Sequence, residues 1–321
     1  MNTRKGILEL AKKTMQTESN AILHLASLLD QQFVDAVDCI YKGEGRVVIT
    51  GIGKSALIAS KIVATLNSTG TPAIFMHAAD AIHGDLGTIQ KKDIVICISK
   101  SGSTPEIKLL VPLIKSGSNK LIAITGNPES YLAEQSDFVL NTYVEKEACP
   151  NNLAPTTSTT AQLVMGDALA ICLLELRGFS SKDFAKFHPG GTLGKKLYLR
   201  VSDIAINNMV PKVETHSAVK DVIVEISEKM LGVAAVLENG KLVGVVTDGD
   251  IRRMLNKYEN INGLTAKDIM TSNPKTIEPG VLAVKALNEM QANGISQLLV
   301  AEKGVYQGVV HLHNLINEGI L

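Results

Sequence analysis

From Arg46 to Tyr143 short apolar runs of strand length alternate with longer stretches of helical spacing, and this alternation constrains the fold more than any other feature. The runs are Arg46 to Thr50, Ala73 to Met76, Ile94 to Ser99, Leu121 to Thr125 and Phe138 to Tyr143. Between them, Lys54 to Asn67 carries Ile58, Ile62 and Leu66 on one stripe, Pro105 to Lys115 reads as a helix, and Gly126-Asn127-Pro128 reads as a turn. Alternation of this kind predicts an α/β fold built on a doubly wound parallel sheet. In such sheets ligands bind at the carboxyl ends of the strands, which directs attention to the loops after Thr50, Met76, Ser99, Thr125 and Tyr143.

Residues 1–42 precede this region and read as helical throughout, with Ile22, Leu25, Leu28 and Leu29, then Phe33, Val37 and Ile40, at helical spacing. After it, a Ser/Thr-rich loop from Pro155 to Thr160 leads into a long apolar helix, Gln162 to Arg177, and the turn His188-Pro189-Gly190-Gly191 closes the region. Beyond about Leu197 the texture changes to a repeat at an offset of about 64 residues. Asp203-Ile204 matches Asp268-Ile269, Gly232 matches Gly294, and Gly244-Val245-Val246 matches Gly308-Val309-Val310. Each copy reads helix, strand, strand, helix, and a unit of that size is expected to pack against its twin. The expected domains are therefore residues 1–196, 197–260 and 261–321.

At 321 residues the chain exceeds the size of one hydrophobic core, in keeping with several domains. Lys plus Arg and Asp plus Glu are each 32, so no global positive field would draw it to nucleic acid or an anionic membrane. The four cysteines, Cys39, Cys97, Cys149 and Cys172, share no two-residue spacing and read as reduced thiols. No apolar run approaches the ~20 residues needed to span a bilayer, and Glu9, Lys12 and Lys13 interrupt any secretory signal after Arg4 and Lys5. A cytoplasmic protein is the expectation.

Gly51-Ile52-Gly53-Lys54-Ser55 follows the first strand. A Walker loop would need glycine where Val48 stands. Gly51, Gly53 and Ala56 fit the loose dinucleotide pattern, but His77 stands where a ribose-binding acid would end the second strand, which argues against a dehydrogenase. Lys54 opens a helix, where a cation faces the positive end of the macrodipole unless an anionic ligand reverses the sign. After the third strand comes Ser99-Lys100-Ser101-Gly102-Ser103-Thr104-Pro105-Glu106, with Thr104 as N-cap and Pro105 as first helical residue. Capping requires one hydroxyl. This loop offers Ser99, Ser101, Ser103 and Thr104 at a helix N-terminus, a ready phosphate site.

This serine-rich loop resembles that of the sugar isomerase (SIS) domain, and longer strings point within it to the arabinose 5-phosphate isomerases. Those strings are Gly51 to Ser55, Ser68-Thr69-Gly70-Thr71-Pro72, His83-Gly84-Asp85-Leu86-Gly87, Glu147-Ala148-Cys149-Pro150, Leu153-Ala154-Pro155-Thr156, Met165 to Ala170 and His188 to Gly191. The repeat resembles a tandem pair of CBS domains. The resemblance implies interconversion of D-ribulose 5-phosphate and D-arabinose 5-phosphate, feeding synthesis of the eight-carbon sugar of lipopolysaccharide or capsule. It also implies a homotetramer and no obligatory cofactor.

The family's active-site set falls on Lys54, Glu106, Glu147 and His188. Glu147 is the expected proton-shuttling carboxylate, with a pKa tuned upward by desolvation, and Glu106 is the alternative base or an orienter of Lys54. Lys54 is assigned to enediolate or phosphate. His188 is assigned to ring opening or hydroxyl proton transfer, at a neighbouring subunit's site. Substrate contacts are expected from Gly53, Ser55, Gly70, Thr71, His77, His83, Ser99, Ser101, Ser103 and Thr104. The resemblance also makes His77 able to hold zinc, expected to be adventitious or inhibitory, because no second ligand stands at a fixed short spacing from it, as a structural or catalytic zinc site would show.

Paired CBS domains in general bind nucleotides through a Gly-x-x-Thr/Ser-x-x-Asp signature, present as Gly244, Thr247 and Asp250. In the second copy His311 and Asn314 replace the hydroxyl and the acid. A nucleotide or nucleotide-sugar effector is therefore expected in the first copy, with Thr247 also able to serve as a helix cap. A non-catalytic sugar-phosphate sensor is the competing reading; it would need the phosphate loop alone.

Overall fold

All five apolar runs become strands of one parallel sheet: β1 (Val47–Gly51), β2 (Ala73–His77), β3 (Ile94–Ser99), β4 (Lys120–Thr125) and β5 (Phe138–Asn141). Their spatial order is β2-β1-β3-β4-β5. The helices of this unit are α1 (Arg4–Ser27), α2 (Gln31–Lys42), α3 (Lys54–Ser68), α4 (Ala78–Ala81), α5 (Pro105–Ser116), α6 (Tyr131–Gln135) and α7 (Thr157–Leu176). Alternate residues of β3 show why both faces need cover. Ile94, Ile96 and Ile98 enter a core shared with α2, α3 and α7, whereas Val95 and Cys97 enter one shared with α5 and α6. Strands buried on both sides read as unbroken apolar runs, which is why the sequence reveals them. The order reverses between β1 and β3, which stay paired to Gly51 and Ile98, and the helices that follow them, α3 and α5, leave to opposite faces of the sheet, which makes a crevice at the carboxyl ends.

The computed structural model describes residues 4–320, without the Lys5 side chain. The helical expectation for residues 1–3, and residue 321 of the second copy, lie outside the described residues. The N-terminal helix is not continuous: the Asp30 carboxylate accepts the Gln32 N–H at 3.0 Å and starts α2 afresh. The last strand stops at Asn141, and the long helix begins at Thr157, inside the loop expected from Pro155 to Thr160. Contrary to expectation, α7 is long and apolar enough to cross a membrane. Its Ala161, Met165, Leu169, Ala170 and Leu173 are buried in the core beside the sheet.

The chain divides into two compact units between Phe184 and Ala185, earlier than the expected boundary at 196. The reason lies in the second unit. After α8 (Ser181–Phe187), helix α9 (Thr192–Tyr198) ties Lys195 to Glu318 at 2.7 Å. Leu199 then accepts the Ala283 N–H at 2.8 Å.

In that unit the repeat forms a four-stranded sheet, β6 (Lys212–Glu214), β7 (Val233–Glu238), β8 (Lys241–Thr247) and β9 (Thr271–Ser272). A three-stranded sheet follows, β10 (Thr276–Ile277), β11 (Gln297–Glu302) and β12 (Val305–His311). The helices are α10 (Val201–Ala205), α11 (Val219–Lys229), α12 (Asp248–Lys257), α13 (Ala266–Ile269), α14 (Ala283–Asn293) and α15 (Leu312–Asn317).

The two copies exchange their leading segments, so the sequence boundary at 260 is not one in space. Val201 and Ile204 of α10 pack with Leu287 and Met290 of the second copy, while Ala266 of α13 packs with Val222 and Val236 of the first. Val233 and Ala235 meet Leu299 and Val309 in a core common to both sheets.

Candidate active site

At the crevice between β1 and β3 lies a cleft of about 260 Å³, walled by Ile52, Lys54, Ser55, Ile98, Ser99, Lys100, Ser101, Thr104, Pro155, Ser158 and Thr159. Three segments supply these residues: the loop into α3, the loop into α5 and the start of α7. Gly53 is the N-cap of α3 with φ +60° and ψ −128°, a conformation that needs glycine, and Lys54 follows as an exposed first helical residue. No ion pair or side-chain hydrogen bond holds Lys54 among the described residues, so its charge is available at the cleft. Ser55 donates to Gln162 Oε1 at 3.1 Å.

The loop into α5 is shaped by its own hydroxyls. Ser99 Oγ accepts the Gly102 N–H at 3.1 Å, and Gly102 takes φ +63° to let the chain double back. Ser103 is exposed, its hydroxyl accepting the Tyr131 N–H at 3.4 Å, and is not on the cleft wall. Thr104 occupies the N-cap position of α5, yet its side chain makes no capping bond and its buried Oγ1 has no partner among the described residues. Ordinary capping thus does not explain Thr104. Glu106 follows in the first turn of α5, half-buried, with no ion pair or side-chain hydrogen bond among the described residues.

Glu147 departs most from expectation. Its side chain is 1% exposed and five donors converge on it. Oε1 accepts from Lys100 Nζ at 2.6 Å and Ser158 Oγ at 2.5 Å. Oε2 accepts from Thr156 N at 2.9 Å, Thr156 Oγ1 at 3.2 Å and Ser158 N at 3.1 Å. Burial alone would raise its pKa, but the Lys100 ammonium, the Ser158 hydroxyl and the two backbone N–H groups outweigh it and hold the carboxyl at about 2. An acid so strongly ionised is a poor proton shuttle near neutrality. The upward tuning expected of Glu147 is therefore wrong in sign.

Gly70 and Thr71 are not brought to the cleft. They lie before the amino end of β2, at the edge of the sheet opposite the crevice. Thr71 is buried and its Oγ1 accepts from Arg177 Nε at 3.2 Å, while a Cβ on Gly70 would come within 2.6 Å of the Phe179 ring. Their motif serves packing in this subunit. His77 ends β2 and His83 lies on the exposed turn beyond it, both at the carboxyl side of the sheet but off the cleft wall. His77 Nδ1 is 3.7 Å from Asp80 Oδ2, and no group of three metal-binding side chains occurs among the described residues. One histidine and one distant carboxylate do not build a four-coordinate zinc site. His188 belongs to the second unit, in the turn where Gly191 N donates to its carbonyl at 3.1 Å.

In the repeat, Thr247 and Asp250 form a capping box at the start of α12. Asp250 Oδ2 accepts from Thr247 N at 2.9 Å and Thr247 Oγ1 at 2.6 Å, and Oδ1 accepts from Arg253 Nη2 at 2.6 Å. In this structure the cap is their role. His311 and Asn314 build the same cap on α15 without a carboxylate.

Sequence reasoning missed the side chain of Lys100, although it sits inside the serine run, and the walls supplied by Pro155, Ser158 and Thr159. A lysine flanked by serines ahead of a helix was the available signal for the first. The second needed the tertiary fold, because α7 reaches the crevice only across the sheet.

Known proteins agree with this architecture. The SIS domain family matches residues 40–172, and the CBS domain family matches residues 201–257 and 266–320. Arabinose 5-phosphate isomerase KdsD of Pseudomonas aeruginosa is 44% identical over 324 residues, spanning 100% of this chain and 99% of its own length. The protein of the same name from Escherichia coli K12 is 42% identical over 315 residues, 98% of this chain and 96% of its own. A solved structure from E. coli CFT073, in complex with arabinose 5-phosphate, is 40% identical with a TM-score of 0.57 and covers 58% of this chain and 100% of its own. With full-length likeness, a doubly wound SIS unit and a following CBS pair, this chain belongs to the arabinose 5-phosphate isomerase family.

Proposed function

We propose that the chain interconverts D-ribulose 5-phosphate and D-arabinose 5-phosphate through an enediol, with Glu106 as the base. The observation that carries the reading is Glu106, a carboxylate without a side-chain partner among the described residues; it is not itself on the cleft wall but lies in the first turn of the helix whose N-cap Thr104 lines a cleft bearing two lysines. Glu106 removes the proton on C2 of the aldose, the electron pair moves to form the C1–C2 double bond as the carbonyl oxygen takes the negative charge and a proton, and Glu106, its proton exchanged with solvent, protonates C1 as O2 becomes the carbonyl of the ketose. Lys54, exposed at the cleft and without an ion pair among the described residues, stabilises the oxygen on which negative charge develops. His188 moves the hydroxyl protons, reaching the cleft of a neighbouring subunit in a homotetramer. Gly53, Ser55, Ser99, Ser101 and Thr104 shape and line the binding site, and His77, at the end of β2, and His83, on the turn beyond it, reach the sugar.

Carbonyl transfer of this kind is proton chemistry and calls for no redox cofactor. Zinc held at His77 inhibits rather than serves; loss of activity on chelation, restored by zinc, would reverse that assignment. The product supplies synthesis of the eight-carbon sugar of lipopolysaccharide or capsule in the cytoplasm, and the CBS pair senses a nucleotide or nucleotide-sugar effector. An effector hydroxyl that reaches Asp250 Oδ1 shares it with Arg253 Nη2 and the Thr271 hydroxyl. Incubation with ribulose 5-phosphate, followed by NMR, tests the activity: arabinose 5-phosphate is expected, and binding without conversion would instead favour a sugar-phosphate sensor.

A further inference from the structure

Both Lys54 and Lys100 line the cleft, but only Lys100 is pinned at both ends. Its backbone carbonyl accepts the Gly126 N–H at 3.1 Å and the Thr125 hydroxyl at 3.4 Å, and its ammonium donates to Glu147 Oε1 at 2.6 Å. The Lys100 side chain is 48% exposed and the Glu147 side chain 1%. An ammonium has three N–H donors, and among the described residues a single hydrogen bond, to Glu147, occupies one of them here. Glu147 does not depend on Lys100 alone for compensation. Thr156 and Ser158 supply its other four bonds, where α7 begins and the macrodipole also favours an anion. Part of the lysine's charge and two of its donors therefore remain to face the cleft.

We propose that Lys100 is a second substrate-binding cation that takes the phosphoryl group of the pentose phosphate, and that buried Glu147 is the positioning residue holding its ammonium in place. This rests on the isomerase reading and divides the work of the two lysines. Lys100 lies on the segment that also carries Ser101, the unpartnered Thr104 hydroxyl and the first amides of α5, so a phosphoryl dianion there meets donors from one rigid stretch of chain. Lys54, on the other side of the crevice, is left for the reacting oxygens. A carboxyl held at about 2 is ionised near neutral pH, where it accepts from the Lys100 ammonium at 2.6 Å.

The test compares the full-length wild type with Lys100→Met and Lys100→Arg. Calorimetry reads the Kd of inorganic phosphate, and steady-state assays read KM and kcat for arabinose 5-phosphate. Lys100→Met is expected to raise the phosphate Kd and KM together by about tenfold or more, the loss of one charge-assisted bond. Its kcat is expected to stay within about threefold of wild type, because the bond is made equally in ground and transition states. Lys100→Arg is expected to recover most of the affinity. An unchanged phosphate Kd would overturn the proposal, as would a fall in kcat at constant KM, which would put Lys100 at the reacting carbons. If the wild type converted no pentose phosphate the isomerase reading would fail, while the phosphate measurement would still decide the role of Lys100.

Discussion

Replacing Glu147 by glutamine removes a negative charge from a site where five donors meet. The amide keeps one acceptor oxygen and turns the other into an NH₂ group that faces the Thr156 and Ser158 N–H groups or the Lys100 ammonium. The carboxyl is held at about 2 against an ordinary 4.5, a difference of about 2.5 units, worth about 3 kcal/mol of stability at neutral pH. For a unit of this size that corresponds to about 6–12 °C in Tm. Because the folded pKa lies below the unfolded one, the contribution is complete above about pH 4.5 and is lost as pH falls through about 2. Scanning calorimetry of the full chain from pH 7 downwards reads it directly. Glu147→Gln is expected to melt about 6–12 °C lower at pH 7, and the gap to narrow as the wild type approaches the acid end. A variant as stable as the wild type at pH 7, but without turnover, would refute the argument and restore Glu147 as the acid–base group.

Three other outcomes are expected from the geometry. Glu106→Gln is expected to lower kcat by about 10²–10⁴-fold, the usual worth of a general base, with Tm little changed, as read by NMR conversion assays and calorimetry. Gly70→Ala combines a φ of +89° with a collision against the Phe179 ring and is expected to cost about 1–3 kcal/mol in stability; an unchanged KM would accompany it, and a raised KM with unchanged stability would return Gly70 to the substrate site. Of the thiols, Cys149 has its pKa lowered by the backbone N–H groups of Ala154, Leu153 and Asn151, whereas burial pushes Cys97 up to about 12. Alkylation followed by mass spectrometry is expected to label Cys149 first, and Cys97 only on unfolding.

Periodic and contiguous features were legible in the sequence. β1 to β5 are apolar runs because helices cover both faces, and the phosphate loop is visible because Ser99 to Thr104 are consecutive in the chain. Features arising from distant segments were not legible. The sign of the Glu147 pKa depends on Lys100 and Ser158, 47 and 11 residues away in sequence. From the chain alone Glu147 is a loop acid beside an apolar helix, and desolvation is the one effect sequence suggests. Gly70 and Thr71 look like a site motif until the strand direction puts them at the amino end of β2. The exchange of α10 and α13 between the copies also escapes a linear repeat, because each copy's leading segment closes the other's core.

The central claim is that a carbon-bound proton of a pentose phosphate passes through Glu106, and incubating the full-length enzyme with D-arabinose 5-phosphate in deuterated water tests it most directly. Ribulose 5-phosphate is expected to carry deuterium at C1 and the recovered aldose deuterium at C2, with both slowed by about 10²–10⁴-fold in Glu106→Gln. Conversion without any deuterium incorporation, or incorporation undiminished in Glu106→Gln, would contradict it.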